Sequence, residues 1–227
     1  MPSGGGPLVF VADVDRPVLD DGDRHHLSRA LRLRDGDPLV LSDGSGAWRT
    51  ARFRTGEPEP AGELQLAPRP APAIEVAFAL VKGSKPELAV QKLTELGVDR
   101  IRPFVAARSV VRWDAARSDT ALVRLRRVAR EASMQSRRAW LPEIDAVASF
   151  AEVAADPRAC RADRGGSPPS LEHPLILTGP EGGWDDGERA SELPVVALGD
   201  GVLRAETAAI TAGVVLAALR SGLVRGA

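Results

Sequence analysis

Cysteine and lysine are scarce in this chain, long apolar runs are missing, and neither sign of charge prevails. The single cysteine, Cys160, excludes an internal disulfide and a cysteine-based metal site. A reducing compartment fits that usage. No run of about 18 apolar residues occurs, so no membrane span is expected. Residues 1–6 lack the basic-then-apolar pattern of a signal peptide, and a cytoplasmic location is the expectation. Lysine occurs only as Lys82, Lys85 and Lys92, so arginine carries nearly all the positive charge. Codon bias across a genome explains that substitution, and arginine usage alone does not point to RNA. The formal net charge of -1 excludes a uniformly basic, histone-like binder but not local patches. What remains is ample: 227 residues, 44% of them hydrophobic, suffice for one large domain or two small ones.

The best boundary is the alternating-proline segment Pro68-Arg69-Pro70-Ala71-Pro72, an extended, semi-rigid linker. It divides the chain into a part spanning residues 1–70 and a part spanning 73–227. The first part reads mainly as strands: Leu8 to Val11, Leu39 to Ser42, Ala47 to Phe53 and Leu64 to Ala67. The turn Asp43-Gly44-Ser45-Gly46 makes a hairpin of the middle two. Asp23 to Leu33 reads as a helix with Leu27, Ala30 and Leu31 on one face. A small β-barrel with one helix is predicted.

The second part alternates strand and helix. Ile74 to Val81 is strand-like. Ser84 and Glu87 read as a capping box around Pro86, opening a helix that ends at Leu96 with Gly97 as its cap. Val98 to Val105 is the next strand, and such a βαβ unit implies an α/β fold with a parallel sheet. A second helix is expected over Asp119 to Gln135, with Leu122, Leu125, Val128, Ala129 and Ala132 facing the core. Residues 157–170, rich in Pro, Gly and Arg, read as an exposed loop. Leu175 to Thr178 and Val195 to Leu198 read as buried strands. Ala205 to Leu219 is apolar all round, which predicts a buried closing helix.

Two motifs bear on chemistry. In Leu177-Thr178-Gly179-Pro180-Glu181-Gly182-Gly183-Trp184 a buried strand runs into a glycine-rich loop, where ligands of open α/β sheets sit. No Gly-Lys-Ser/Thr follows, so it is not a nucleotide phosphate loop, nor does it match the dinucleotide fingerprint. In Leu198-Gly199-Asp200-Gly201-Val202-Leu203-Arg204-Ala205-Glu206-Thr207-Ala208 a strand again runs into glycines and then into a helix. Glu206 in the first turn suits the helix dipole, whereas Arg204 gains nothing from it. Its partner is a phosphate, a carboxylate or Glu206 itself.

With these motifs the chain resembles the ribosomal RNA small subunit methyltransferase E family of the SPOUT methyltransferases. Lys82-Gly83 to Gly97 is similar to that family's segment ending in Thr-Glu-Leu-Gly. Gln135-Ser136, Arg138 and Pro142-Glu143-Ile144 resemble its Gln-Ser-x-Arg and Pro-Glu-Ile, and His26-Leu27 with Leu31 to Asp37 resembles its N-terminal signature. Met134 and Arg137 depart from it, standing where the family has Glu and Gly. The resemblance implies a PUA-like barrel followed by an α/β domain with a trefoil knot over roughly Leu175 to Leu219. It implies S-adenosyl-L-methionine as cofactor, and a homodimer acting on N3 of a uridine in 16S ribosomal RNA of the small subunit. Carried over by residue, the cofactor-binding positions are Leu80, Thr178, Gly179, Pro180, Glu181, Gly182, Leu198, Gly199, Gly201, Leu203, Thr207 and Ala208. Arg204 is expected to bind RNA or stabilise a uracil anion, and Glu206 to orient Arg204 or assist proton loss.

RNA contacts are expected at Arg29, Arg32, Arg34, Lys82, Arg108, Arg112, Gln135 and Arg138. From Arg100 to Arg138 eleven arginines face only Asp114, Asp119 and Glu131, a local surplus of +8. Adjacent His25 and His26, without carboxylate or thiol partners, make a poor metal site, and no metal is expected. The rival readings are a related methyltransferase with another RNA target and a non-catalytic RNA-binding assembly factor.

Overall fold

A computed structural model describes residues 1–224 apart from Gly56, Arg112 and Asp114, with only the backbone of Ala115 and Ala116. Two compact units result: Met1–Arg69 with Arg130–Leu141, and Pro70–Ala129 with Pro142–Ala227. The second stretch of the first unit is a finding that a boundary placed at the proline segment does not convey.

The first unit is built on a five-stranded sheet. Strand β1 (Leu8–Phe10) pairs in parallel with β2 (Pro38–Ser42), which pairs antiparallel with β3 (Ala47–Arg52). The short β4 (Glu59–Pro60) and β5 (Gln65–Leu66) both pair with β3. Leu39 and Leu41 of β2 point into a core with Val9, Leu27 and Phe53, while Val40 between them is buried in a second cluster with Leu8 and Phe10, so the strand is covered on both faces. The expected helix is present but differently wound. Helix α1 (Asp21–His25), capped by the Asp20 carboxylate, passes into a π-helical turn over His26–Ala30. A π turn breaks the 3.6-residue period. Leu27 is therefore buried, while Ala30 and Leu31 are exposed, contrary to the expected shared face. Residues 130–141 dock on this sheet. Ala139 O accepts from Gly46 N, Leu141 N donates to Gly44 O, and Trp140 Nε1 donates to Ala67 O at 3.1 Å.

The second unit is a seven-stranded, all-parallel sheet. Its strands are β6 (Glu75–Ala79), β7 (Arg100–Val105), β8 (Glu143–Ile144), β9 (Ala148–Ser149), β10 (Ala159–Ser167), β11 (Leu175–Thr178) and β12 (Val195–Val196). The order is β12-β10-β11-β6-β7-β8, with β9 also on β7. Strands β6 and β11 are buried throughout, as sheets covered on both faces require. Helices α2 (Lys85–Glu95), α3 (Ala115–Gln135) and α6 (Ala205–Arg220) contribute Val90, Leu93, Leu125, Ala209 and Leu216 to one core. On the other face α4 (Phe150–Ala154) and Trp184 pack on Phe104 and Leu177. A short helix α5 (Asp186–Arg189) precedes β12.

Three expectations are corrected here. Residues 159–167 form strand β10, not a loop. Its one buried charge, Arg161, is tolerated because Asp163 pairs with it at 2.8 Å and its guanidinium lies over the Trp184 ring. Cys160, also in β10, is buried, and burial pushes its thiol up to about 12. The Ser84 hydroxyl caps nothing, and Glu87 instead pairs with Arg124 of α3. Helix α6 buries only one face, leaving Val214 on the outer one 44% exposed.

Candidate functional site

Two parallel strands of the sheet, β11 and β12, which flank β10, end in glycine-bearing loops. Strand β11 ends at Thr178, whose hydroxyl donates to Ala77 O at 3.3 Å and fixes the strand end to β6. The chain then turns over Gly179–Gly183, with Gly183 N donating to Pro180 O at 2.9 Å. Gly183 takes φ +69°, a left-handed conformation that glycine adopts without strain. Trp184 anchors the loop from below. Its Nε1 donates to Ala162 O at 2.9 Å, and its ring stacks on Phe104 at 6.2 Å. Helix α5 starts at a true capping box, Asp185 with Glu188, and Glu188 Oε1 also accepts from Ala107 N at 2.7 Å. Arg108 Nη1 reaches Gly182 O at 3.4 Å, so the loop after β7 braces the glycine loop.

The loop after β12 and the start of α6 form the facing wall. Together they enclose a cavity of about 610 Å³. Of the expected cofactor residues, Gly179, Pro180, Glu181, Gly182, Leu198, Gly199, Gly201, Leu203 and Ala208 line it. Thr178 lies buried beneath it, Leu80 is buried at the end of β6, and Thr207 is exposed on the first turn of α6; none of these three lines it. Gly183, Trp184, Val202 and Ala205 also line it, as do Ala162 to Arg164 of β10, which the sequence reading placed in a loop. No atom stands within 4 Å of where a Cβ on Gly199 or Gly201 would be, so both of these lining residues stand beside open space. Leu198, Val202 and Leu203 supply apolar wall.

Charge gathers at one edge. Arg204, at the N-cap of α6, is exposed and makes no cap bond. Glu206, two residues on, lies 3.5 Å from Lys85 Nζ. Glu206 Oε2 is buried without a hydrogen bond among the described residues. Lys85 also pairs with Glu181, and this hydrogen bond holds the Glu181 carboxyl below its ordinary range and the lysine above its own. Lys85 went unnoticed in the sequence, where only Ser84, Pro86 and Glu87 of that turn carried a signal.

The expected RNA contacts are scattered over both units. Arg29, Arg32, Arg34 and Gln135 are exposed in the first unit, and Arg138 there is half-buried. In the second unit Arg108 is exposed, and exposed Lys82 borders a separate cavity of about 300 Å³ with Trp113 and Arg117. Arg112 lies outside the described residues. Folding neutralises part of the +8 surplus of the sequence. Arg100 and Arg102 pair with Asp145, Arg124 with Glu87 and Arg130 with Asp23, acids from outside that segment. Among the described residues no cluster of His, Cys, Asp and Glu suits a metal ion, and no helix is long and apolar enough to cross a membrane.

Comparison with known proteins agrees with this layout. An RNA methyltransferase domain matches residues 68–217, and an RNA methyltransferase PUA domain matches residues 19–55. Ribosomal RNA small subunit methyltransferase E of Mycobacterium bovis is 34% identical over 86% of this chain and 83% of its own length. The Synechocystis protein of the same name is 34% identical over 84% of this chain and 69% of its own. The crystal structure of the Neisseria gonorrhoeae protein of that name, bound to S-adenosyl methionine, superposes with a TM-score of 0.77 at 26% identity, covering 94% of this chain and 97% of that one. The chain belongs to the ribosomal RNA small subunit methyltransferase E family of RNA methyltransferases.

Proposed function

We propose that the protein transfers a methyl group from S-adenosyl-L-methionine to N3 of a uridine in 16S ribosomal RNA. The observation that carries the reading is the cavity between the two glycine loops, with open space at Gly199 and Gly201 and apolar walls at Leu198, Val202 and Leu203. Those features fit a nucleoside with a charged tail, which needs close backbone approach and an apolar flank. The cofactor supplies an already activated methyl group. The chain's own residues have to bind, orient and deprotonate. Orientation of the two reactants alone is worth about 7–11 kcal/mol in such a transfer. The target base has to be unpaired or flipped out to expose N3. Arg204, exposed beside the cavity, binds the RNA or stabilises the uracil anion, and Glu206 assists proton loss. The geometry favours that role for Glu206 over orienting Arg204, because its carboxylate faces Lys85.

The same reading includes a PUA-like barrel around the five-stranded sheet and a trefoil knot over roughly Leu175 to Leu219. It also includes RNA contacts at Arg29, Arg32, Arg34, Lys82, Arg108, Arg112, Gln135 and Arg138, a homodimer, and action in the cytoplasm on the small subunit. Val214, 44% exposed on the outer face of α6, is where a second copy of the chain would bury apolar surface in that homodimer. Mass-spectrometric mapping of 16S RNA from a deletion strain tests the target: N3-methyluridine should disappear, and its retention would refute the assignment. Arg204→Ala should abolish methylation while the melting temperature stays put. Full activity with unchanged RNA affinity would remove Arg204 from the mechanism.

A further inference from the structure

Lys85 joins three segments of the second unit that are far apart in sequence. Its ammonium pairs with Glu181 in the glycine loop and stands 3.5 Å from Glu206 Oε2 in the first turn of α6. A lysine carries three donors, so it can serve two carboxylates at once. Its placement is otherwise unfavourable, because a cation in the first turn of α2 opposes the helix dipole. Pro86, next in the chain, presets the backbone of that turn and so limits where Lys85 can stand.

The two contacts differ in character. The Glu206 side chain is only 13% exposed, so its contact with Lys85 at 3.5 Å is partly shielded from solvent and salt. Glu181 is half-exposed, and such a pair is weak and screened by salt. One contact therefore anchors Lys85 on α6, and the other holds a loop that opens at little cost.

We infer that Lys85 is a positioning residue of the cavity: by pairing with Glu181 and Glu206 at once it latches the Gly179–Gly183 loop to the first turn of α6. The inference rests on the reading of this cavity as the S-adenosylmethionine site, and its consequence is that donor affinity depends on a residue outside both glycine motifs.

The test uses the full chain and the variants Lys85→Ala, Lys85→Arg and Glu181→Gln. Hydrogen exchange across residues 179–184, read without added nucleoside, should rise up to about fivefold in Lys85→Ala and Glu181→Gln. In the parent chain it should rise with added salt, and in Lys85→Ala it should not. Calorimetry with S-adenosylmethionine and with S-adenosylhomocysteine should show roughly fivefold weaker binding in Lys85→Ala, the upper end for a partly exposed ion pair. Lys85→Arg should restore most of both. Exchange and affinity within about twofold of the parent would overturn the inference. If the parent binds neither nucleoside, the cofactor reading fails, while loop exchange still decides the latch. If Lys85→Ala does not fold, Glu181→Gln decides it, since that side chain is half-exposed.

Discussion

Replacing Gly179 by alanine should disable the cavity through Trp184. A Cβ built on Gly179 falls 2.9 Å from Trp184 Cε2 and 3.2 Å from Cδ2, closer than carbon contacts allow. Relief requires the indole to move by several tenths of an ångström. It is badly placed to do so, being 3% exposed, tied to Ala162 O, stacked on Phe104 and flanked by Phe150 at 5.6 Å and Arg161 at 5.7 Å. Overpacking of this kind costs about 1–3 kcal/mol, which in a chain of this size lowers the melting temperature by roughly 2–12 °C. Gly201→Ala is the matched control. No atom lies within 4 Å of its Cβ and its φ is ordinary, so stability should change by less than about 0.5 kcal/mol. Its Cβ instead enters the space where a nucleoside would approach, and binding should weaken by about tenfold or more. Scanning calorimetry and titration calorimetry with S-adenosylmethionine on both variants separate the effects. A Gly179→Ala protein melting with the parent would refute the account of Trp184 as a rigid anchor. A Gly201→Ala protein that binds as tightly as the parent would refute the placement of the ligand.

Two further outcomes are expected. Asp156, bonded by Arg158 Nη2 at 2.7 Å and by Arg102 Nη1 at 3.0 Å, has its carboxyl held at about 2, below its ordinary value of 3.8. A depressed carboxylate stabilises the fold above its ordinary value and loses that contribution as the pH falls from about 4 to 2. Asp156→Asn should thus cost on the order of 2 kcal/mol at pH 7 and almost nothing at pH 2, as followed by urea unfolding, and a pH-independent difference would contradict the pairing. Arg32 is exposed at φ +55°, so Arg32→Gly relieves a left-handed backbone and should leave melting unchanged or slightly raised. If Arg32 touches a phosphate, the salt dependence of 16S RNA binding should drop by about one contact, and an unchanged slope would exclude it.

Elements with an undivided apolar pattern were legible in the sequence. Strands β6 and β11, the β2–β3 hairpin and helix α2 lie where periodicity and turn chemistry put them, because each buries what its pattern offers. Strand β10 escaped because Ala159 to Ser167 holds three charges and two glycines. Its strand character comes from neighbours on both sides and from Asp163 and Trp184 receiving Arg161. The helix near His26 was legible as a helix but not as a π turn, since one residue of extra winding moves Leu31 to solvent without changing composition. The net charge around the arginines was only partly legible for a related reason. A count along the chain cannot include Glu75, Glu87, Asp23, Asp145 and Asp156, which only the fold brings to those guanidinium groups.

The same distinction separates the parts of the site. The glycine loops could be read from sequence because the requirement sits in the residue itself: a missing side chain lets Gly183 take left-handed backbone without strain and leaves open space at Gly199. Arg137 shows the converse. It stands where the family has glycine, and its φ of +54° explains why glycine suits that position. The arginine holds the strained conformation by donating from its guanidinium to Gly6 O, a contact within the first unit that residue type alone could not announce. Lys85 belongs with Arg137. Its meaning depends on Glu181 and Glu206 arriving from two other loops. The part of the cavity that most needed a structure is accordingly not its walls but the lysine that holds two of them together.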